Sequence, residues 1–566
     1  MDRRVFLALV LFALVIIVPS LIWPSKPPAR RLDGQTDSLS RPVAGLDSTS
    51  ADSQRTGAPT KTLAAQPPTR LVAADTVWVT TPLFRLGFST RGGTVVSARL
   101  FQYRSFATGD TGRAAELVPT GRPFLAQRVA VGADTLNFTD LSFTPSAQVL
   151  SVAGEPATLT LTANRGSSTV TLGYTFRPDA YQIDVAGRVT GLGAGGAQVL
   201  VGLGDGLRNT EADSVASFRD YGVVTKSAKT ELRRFGSINE GDRVVLDGPF
   251  EWAGVKSKYF LLGALAIQAG QPQFAGVVAL GGPRPDSAKG FFGGKSGLAT
   301  QTSVAVTLPT PPAGDFRFTV YLGPLEHRRL AAMGHELDDA NPYGWALFRP
   351  IIRGVAIVVT DVLLWVHEHF NLAYGWLLIL FGVVIRLLLW PLNQRAMASQ
   401  MRMQAVAPLL KEVQTKYKND PERQQKETLK IYKEHQVNPL GGCLPMLIPW
   451  PVLLALYFVF QYTIELRGAS FLWLPDLSRF DPYFALPVLL GLSMFVLSKV
   501  GQKGLPPNPQ TATMLYMMPA MMTFIFLRLS SGLNLYYLVS NLCSIPQQWL
   551  IAKRRLAEQG KRAGST

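Results

Sequence analysis

The rhythm of hydrophobic and polar positions changes several times along this chain. Val5 to Trp23 runs nineteen residues without a charge, behind Arg3 and Arg4. A cleaved signal peptide has an apolar stretch of about 7–15 residues ahead of an A-x-A-like site. This run is longer and ends in Trp23-Pro24-Ser25-Lys26-Pro27-Pro28, so residues 1–24 read as a retained signal-anchor helix. Residues 25–70 are rich in Pro, Ser, Thr, Ala and Arg and poor in large apolar side chains. They cannot bury a core and read as a disordered tether. Between 71 and 323 the period becomes two. Residues 76–80, 94–98, 158–162, 169–172, 181–185 and 316–320 alternate, with many β-branched side chains. Alternation predicts strands with one buried face. Many short strands without intervening helices predict an all-β sandwich. The Gly92-Gly93 and Gly281-Gly282 pairs fall between strand-like runs and read as turns.

From 324 the period is helical. Residues 324–372 read as a linker followed by an amphipathic helix. Arg349, Arg353, Thr360, His367 and Glu368 fall near one face at about 100° per residue, with Asp361 at its edge, which favours a helix lying in the bilayer interface over a span. Five apolar stretches follow, at 373–392, 440–464, 483–498, 511–529 and 533–551. A hydrocarbon core of about 30 Å asks for about 20 apolar helical residues, so each is expected to cross, although the third is short. With the signal anchor this gives an α-helical polytopic membrane bundle of six transmembrane helices, joined to the all-β sandwich domain. The core 373–551 is interrupted by 393–438, which reads as a helical hairpin broken near Asn419-Asp420-Pro421. Residues 552–566 form a basic tail.

Charge orients the bundle. The 566-residue chain carries a net charge of +17. Such a balance suits nucleic acid or a membrane, and here much of the basic charge lies beside the spans, so no specific nucleic acid is expected. The segment 393–438 holds nine Lys or Arg against five Asp or Glu, and the tail after Ala552 holds Lys553, Arg554, Arg555, Lys561 and Arg562 against Glu558. Residues 465–481 hold two bases and three acids. The positive-inside rule then places both termini in the cytoplasm and the β-domain outside. The two cysteines, Cys443 and Cys543, lie in apolar stretches and form no metal-ligand pair, and a disulfide framework is excluded. His367 and His369 have no third ligand nearby. No metal, no cofactor and no enzyme chemistry are expected: there is no phosphate loop, nucleophile elbow or spaced carboxylate set, and the β-domain reads as structural or partner-docking.

Chemistry concentrates in the spans. Arg386 sits in Gly382-Val383-Val384-Ile385-Arg386-Leu387-Leu388. A charge inside the bilayer costs several kcal/mol on most scales and marks function by default; the other reading is snorkelling to the headgroups. No carboxylate stands opposite it within the spans, which disfavours a proton relay and fits a wet cavity. Tyr537, Ser540, Asn541, Ser544 and Gln548 follow three-or-four spacing and make one face of the last span polar. That face suits either a hydrophilic groove or a closed interhelical seam. Met517 and Met521, within a run that also holds Met514, Met518 and Met522, give the fourth span a soft, adaptable surface. Met397, Met401 and Met403 do the same for the first arm of the hairpin, which can equally pack on its partner arm.

The stretch Asn438-Pro439-Leu440-Gly441-Gly442-Cys443-Leu444-Pro445, continued by Pro451 and Ala455-Leu456-Tyr457, closely resembles the YidC family of membrane protein insertases. Ser531-Gly532-Leu533, Leu535-Tyr536-Tyr537 and Ser540-Asn541 resemble its last two spans, Val384-Ile385-Arg386 its groove arginine segment, and Ser89-Thr90-Arg91-Gly92-Gly93 the start of its periplasmic domain. The resemblance implies a Gram-negative inner-membrane insertase and chaperone, with residues 25–372 on the periplasmic side. It implies a groove open to cytoplasm and lipid that receives hydrophobic segments of nascent membrane proteins without nucleotide hydrolysis. The groove residues would be Arg386, Gln461, Tyr537 and Asn541, with Tyr457, Met517 and Met521 touching apolar substrate. Asn438, Pro439, Gly441, Gly442 and Pro445 carry the family motif. Expected partners are the phospholipid bilayer, the Sec translocon and the ribosome, the last weakly, because the basic tail is short.

Overall fold

The computed structural model describes residues 75–563, apart from 132–133, 192–196, 269–270, 284–300, 311–313, 342, 345–347, 392–393, 395–405, 407–408, 411, 419, 436–448 and 504–508. The expected anchor helix and tether (1–70), the motif residues Asn438, Pro439, Gly441, Gly442 and Pro445, and Met397, Met401 and Met403 lie outside the described residues. The chain divides into two compact units. One comprises Met1–Ala212, Phe235–Ala253 and Ala264–Val320; the other comprises Asp213–Arg234, Gly254–Gly263 and Tyr321–Thr566. Two segments from within 71–323 therefore belong with the helices.

The first unit is a β-sandwich. All six alternating stretches read from the sequence lie in or overlap strands: Thr76–Thr80, Val95–Arg104, Ala157–Arg165, Ser168–Phe176, Gln182–Thr190 and Asp315–Pro324. One sheet runs, in spatial order, Ala114–Glu116, Val95–Arg104, Phe84–Ser89, Thr76–Thr80 and Val149–Ser151. Another runs Arg243–Phe250, Phe274–Gly281, Thr302–Thr310, Ala197–Gly204, Ala126–Val131 and Asp134–Asn137. Ala157–Arg165, Ser168–Phe176 and Gln182–Thr190 form an antiparallel meander in a third. Inward rings fill the core, among them Phe88 and Tyr174 with centroids 4.8 Å apart. The buried Tyr174 hydroxyl donates to the Gly93 carbonyl at 3.3 Å and accepts from Gln127 Nε2 at 3.2 Å, so its polar end is satisfied. Gly92 and Gly93 make the expected turn, with φ of 82° and 61°. Gly281 instead ends a strand, where a Cβ would lie 1.9 Å from the Asn239 carbonyl oxygen.

Strands without alternation were invisible to the period-two test. Gly222–Lys226 and Trp252–Lys256 are buried at every position, as is Phe260–Leu265. A strand covered on both faces has no polar face to show.

In the second unit, seven helices are numbered here in chain order: α1 (Arg349–Phe370), α2 (Tyr374–Leu388), α3 (Pro421–Glu434), α4 (Pro449–Tyr462), α5 (Ala485–Gly501), α6 (Pro509–Phe526) and α7 (Ser531–Ala563). A helix thus stands at each of the five stretches expected to span. By length and composition α1 alone, among the described residues, is long and apolar enough to cross a membrane; α2, α5 and parts of α4 and α6 are shorter apolar helices. The sequence places α1 in the interface because of its polar stripe. Two members of that stripe are paired: Arg353 bonds Asp339 at 2.5 Å and Asp338 at 2.9 Å, and Arg328 bonds both Glu368 oxygens at 2.6 and 2.7 Å.

Local chemistry sets the helix ends. Asp420 accepts from Arg423 N at 3.0 Å and Pro421 follows, so α3 starts at the expected break. Asp481, fully buried, accepts from Leu486 N at 2.7 Å and moves the start of α5 past Tyr483. The last helix continues through the expected tail to Ala563, with Arg555 donating to the Gly501 and Lys503 carbonyls at 3.1 and 3.0 Å. This arginine neutralises the C-terminal end of α5. α5 packs along α7 and α6, α7 against α2, and α1 against α4. Leu377, Leu378, Phe381, Leu456, Val459, Phe460, Leu533 and Tyr536 share one apolar core.

Candidate functional site

Small residues let α2 and α7 approach. A Cβ on Gly382 would meet Val539 Cγ1 at 3.3 Å and Tyr536 Cδ2 at 3.5 Å. One turn further along α2 stands Arg386, half-buried, within electrostatic reach of Tyr536 and Cys543 on α7. Its Nε is buried and has no hydrogen-bond partner among the described residues, and no described carboxylate forms an ion pair with it. A desolvated guanidinium N–H without an acceptor is costly in an apolar setting. It is the kind of group that a passing polar ligand can satisfy.

Part of the polar side of α7 is hydrogen-bonded. Asn541 Nδ2 donates to Ser493 Oγ on α5 at 3.1 Å, and Ser493 in turn donates to the Leu490 carbonyl at 2.7 Å. Ser544 donates to the Ser540 carbonyl at 2.5 Å, and Gln547 Nε2 to the Trp390 carbonyl at 3.3 Å. Tyr537 sets its ring edge-on against Phe526, centroids 5.2 Å apart, and against Tyr536 at 5.5 Å. Asn541 is thus hydrogen-bonded across to α5 in this structure. Ser493 was not legible as its partner, because a lone serine in an apolar run carries no spacing signal.

The remaining predicted positions are spread over two other helices. Tyr457 and Gln461 lie on α4, both half-buried, with Tyr457 edge-on to Phe458 at 5.2 Å. Met517 and Met521 lie on α6, half-buried. Arg386 and Tyr536 meet at the α2–α7 contact, while Tyr537 packs on Phe526 of α6; the four positions on α4 and α6 have no described hydrogen bond to Arg386 or Tyr537.

A second polar cluster was not anticipated. It surrounds the C-terminal end of α4. Tyr462 donates its hydroxyl to Asp220 Oδ1 at 3.1 Å, and Lys256 Nζ lies over the Tyr462 ring at 5.6 Å. Lys256 is 1% exposed and Asp220 7% exposed. Burial pushes the Lys256 ammonium down to about 8; the Asp220 carboxylate opposes this, while Arg234 and Lys258 add to it. Just beyond α4, burial pushes the Glu465 carboxyl up to about 7. The signal for this cluster was hidden because its members come from three separated stretches of sequence.

Comparison with known proteins places these elements in a common frame. Residues 365–559 match a family model described as 60Kd inner membrane protein, and residues 76–353 match one described as YidC periplasmic domain. The chain is 30% identical over 579 residues to the membrane protein insertase YidC of Syntrophus aciditrophicus (strain SB), covering 98% of this chain and 100% of that one. It is 28% identical over 562 residues to that of Geotalea daltonii, covering 98% and 99%. Among solved structures, an active YidC insertase with its first transmembrane domain resolved matches at 19% identity and a TM-score of 0.33, over 85% of this chain and 93% of that one.

Proposed function

The chain belongs to the YidC family of membrane protein insertases, and on that premise we propose that it receives hydrophobic segments of nascent proteins in a hydrophilic groove at Arg386 and releases them sideways into the inner membrane. The observation that carries this reading is the buried Arg386 Nε without a partner among the described residues, the one charged side chain of α2. An acidic or polar flank of a substrate would satisfy it. A polar resting place inside the bilayer shortens the apolar barrier which that flank must cross. Burial of the hydrophobic segment in lipid, at about 0.8 kcal/mol per CH₂, then drives release. No covalent step is needed. Tyr457 and Gln461 of α4, Met517 and Met521 of α6 and the Tyr537 region of α7 would guide the segment. Five core spans, a signal anchor at the cytoplasmic N-terminus and a periplasmic β-domain complete the proposed topology, and α1 would lie at the outer interface. The insertase would act alone or beside the Sec translocon, with ribosomes as weaker partners. Arg555 is held by carbonyls near the end of α5, which reduces the basic charge the tail can offer a ribosome.

The test is site-specific photocrosslinking of a stalled, short membrane-protein nascent chain to probes at Arg386, Tyr457, Met517 and Asn541. Crosslinks here, absent at lipid-facing controls such as Val488 and Leu492 on α5, are expected. Their absence, with insertion unaffected by depletion of the protein, would overturn the reading and favour a transporter.

A further inference from the structure

An almost wholly apolar helix has a weak sense of rotation. Of the fourteen residues of α4, Trp450, Tyr457, Gln461 and Tyr462 alone carry side-chain polar atoms, so apolar packing leaves its angle about its own axis loosely set. Its last residue is the exception. The Tyr462 hydroxyl reaches the buried Asp220, its ring lies under the buried Lys256, and the same ring stacks on Phe458 one turn earlier with centroids 6.2 Å apart. Asp220 closes the turn after the short helix Ser214–Phe218, and Lys256 ends the strand Trp252–Lys256. Both therefore sit on fixed backbone.

Buried charges are seldom a source of stability, since apolar residues of like size often serve equally well. Its best-attested use is to fix register. At about 100° per residue, the angle set at Tyr462 dictates where the adjacent Gln461 and, just over a turn earlier, Tyr457 point. We infer that Asp220 and Lys256 are positioning residues that hold α4 in register through Tyr462, so that Gln461 and Tyr457 face the incoming segment. The inference rests on the proposed groove and assigns to it two residues from outside the membrane helices.

The test uses full-length protein in proteoliposomes, with insertion of a small single-span protein as one readout and photocrosslinking from a probe at Gln461 as the other. Tyr462→Phe removes only the hydroxyl. A hydrogen bond to a charged acceptor is worth enough to change the register population roughly tenfold, so insertion should slow by up to that factor. Crosslinking from Gln461 should weaken while a probe at Met517 on α6 keeps its yield. Asp220→Leu should act alike, and Asp220→Asn, which keeps an acceptor oxygen, should retain most of the rate. Wild-type insertion and crosslinking in both Tyr462→Phe and Asp220→Leu would overturn the inference. So would losses that merely track a lower unfolding midpoint with an unchanged crosslink pattern. If the unaltered protein gives no crosslinks at Arg386 or Gln461, the groove reading fails and this inference with it; if it does and the variants match it, only the register inference fails.

Discussion

Replacing Arg386 by methionine should make the bundle more stable and the protein less active. The arginine is half-buried between α2 and α7, and its Nε has no acceptor among the described residues. Arginine at a helix centre costs about 2.5–3.5 kcal/mol on insertion scales. Because Arg386 is half-exposed and lies two residues from the end of α2, roughly half of this should be recovered, about 1–2 kcal/mol. Methionine keeps the length of the stem and its apolar contacts, so no cavity offsets the gain. For a unit of this size that is a rise in unfolding midpoint of about 2–4 °C per kcal/mol. The assay is thermal unfolding of purified protein in detergent, followed by tryptophan fluorescence, alongside insertion of a short membrane protein into vesicles. Arg386→Met should unfold later and insert poorly; Arg386→Lys should keep the charge and most of the insertion. A methionine variant that unfolds earlier would refute the reasoning, since the guanidinium would then be holding the helices together. One that inserts at the wild-type rate would remove Arg386 from the groove.

Three further outcomes follow from packing and charge. The ring of Phe316, 3% exposed, covers Gly187 so closely that a Cβ there would lie 2.0 Å from Phe316 Cζ; Gly187→Ala should destabilise the β-sandwich by about 1–3 kcal/mol, read by denaturant unfolding, and adding Phe316→Ala should remove the clash but not the lost burial. Lys256 faces Asp220, Arg234, Lys258 and Tyr462 and is pushed down to about 8 from 10.5. The unfolded chain therefore binds the extra proton between these values, stability should climb as pH rises from about 8 to 10.5, and Lys256→Met should flatten that climb in a pH series of unfolding midpoints. Glu465 has the opposite sign: burial raises it from 4.5 to about 7, so its contribution is favourable below pH 4.5 and is lost as pH rises through 7. Glu465→Gln should stabilise the protein at pH 8 and change little at pH 4.5.

The sequence by itself determined the broad plan. Period-two alternation marked the strands because each has one wet and one dry face, and long apolar runs marked the positions of α2 and α4–α7 because these helices are apolar over most of their length. Arg386 was legible for the same reason: a charge stands out in an apolar run. The tertiary structure decided what local pattern cannot encode. Trp252–Lys256 is dry on both sides, so its strand and its buried lysine left no period to read. The polar stripe of α1 was legible, but its partners were not: Arg353 pairs with Asp338 and Asp339, and Glu368 with Arg328. The sequence placed Asn541 on a polar face, and only the packing of α7 on α5 brought Ser493 within its reach. The Asp220–Tyr462 contact joins residues 242 positions apart. Such pairings follow from how the elements pack, because the free energy that fixes them is released only when distant segments exclude water together.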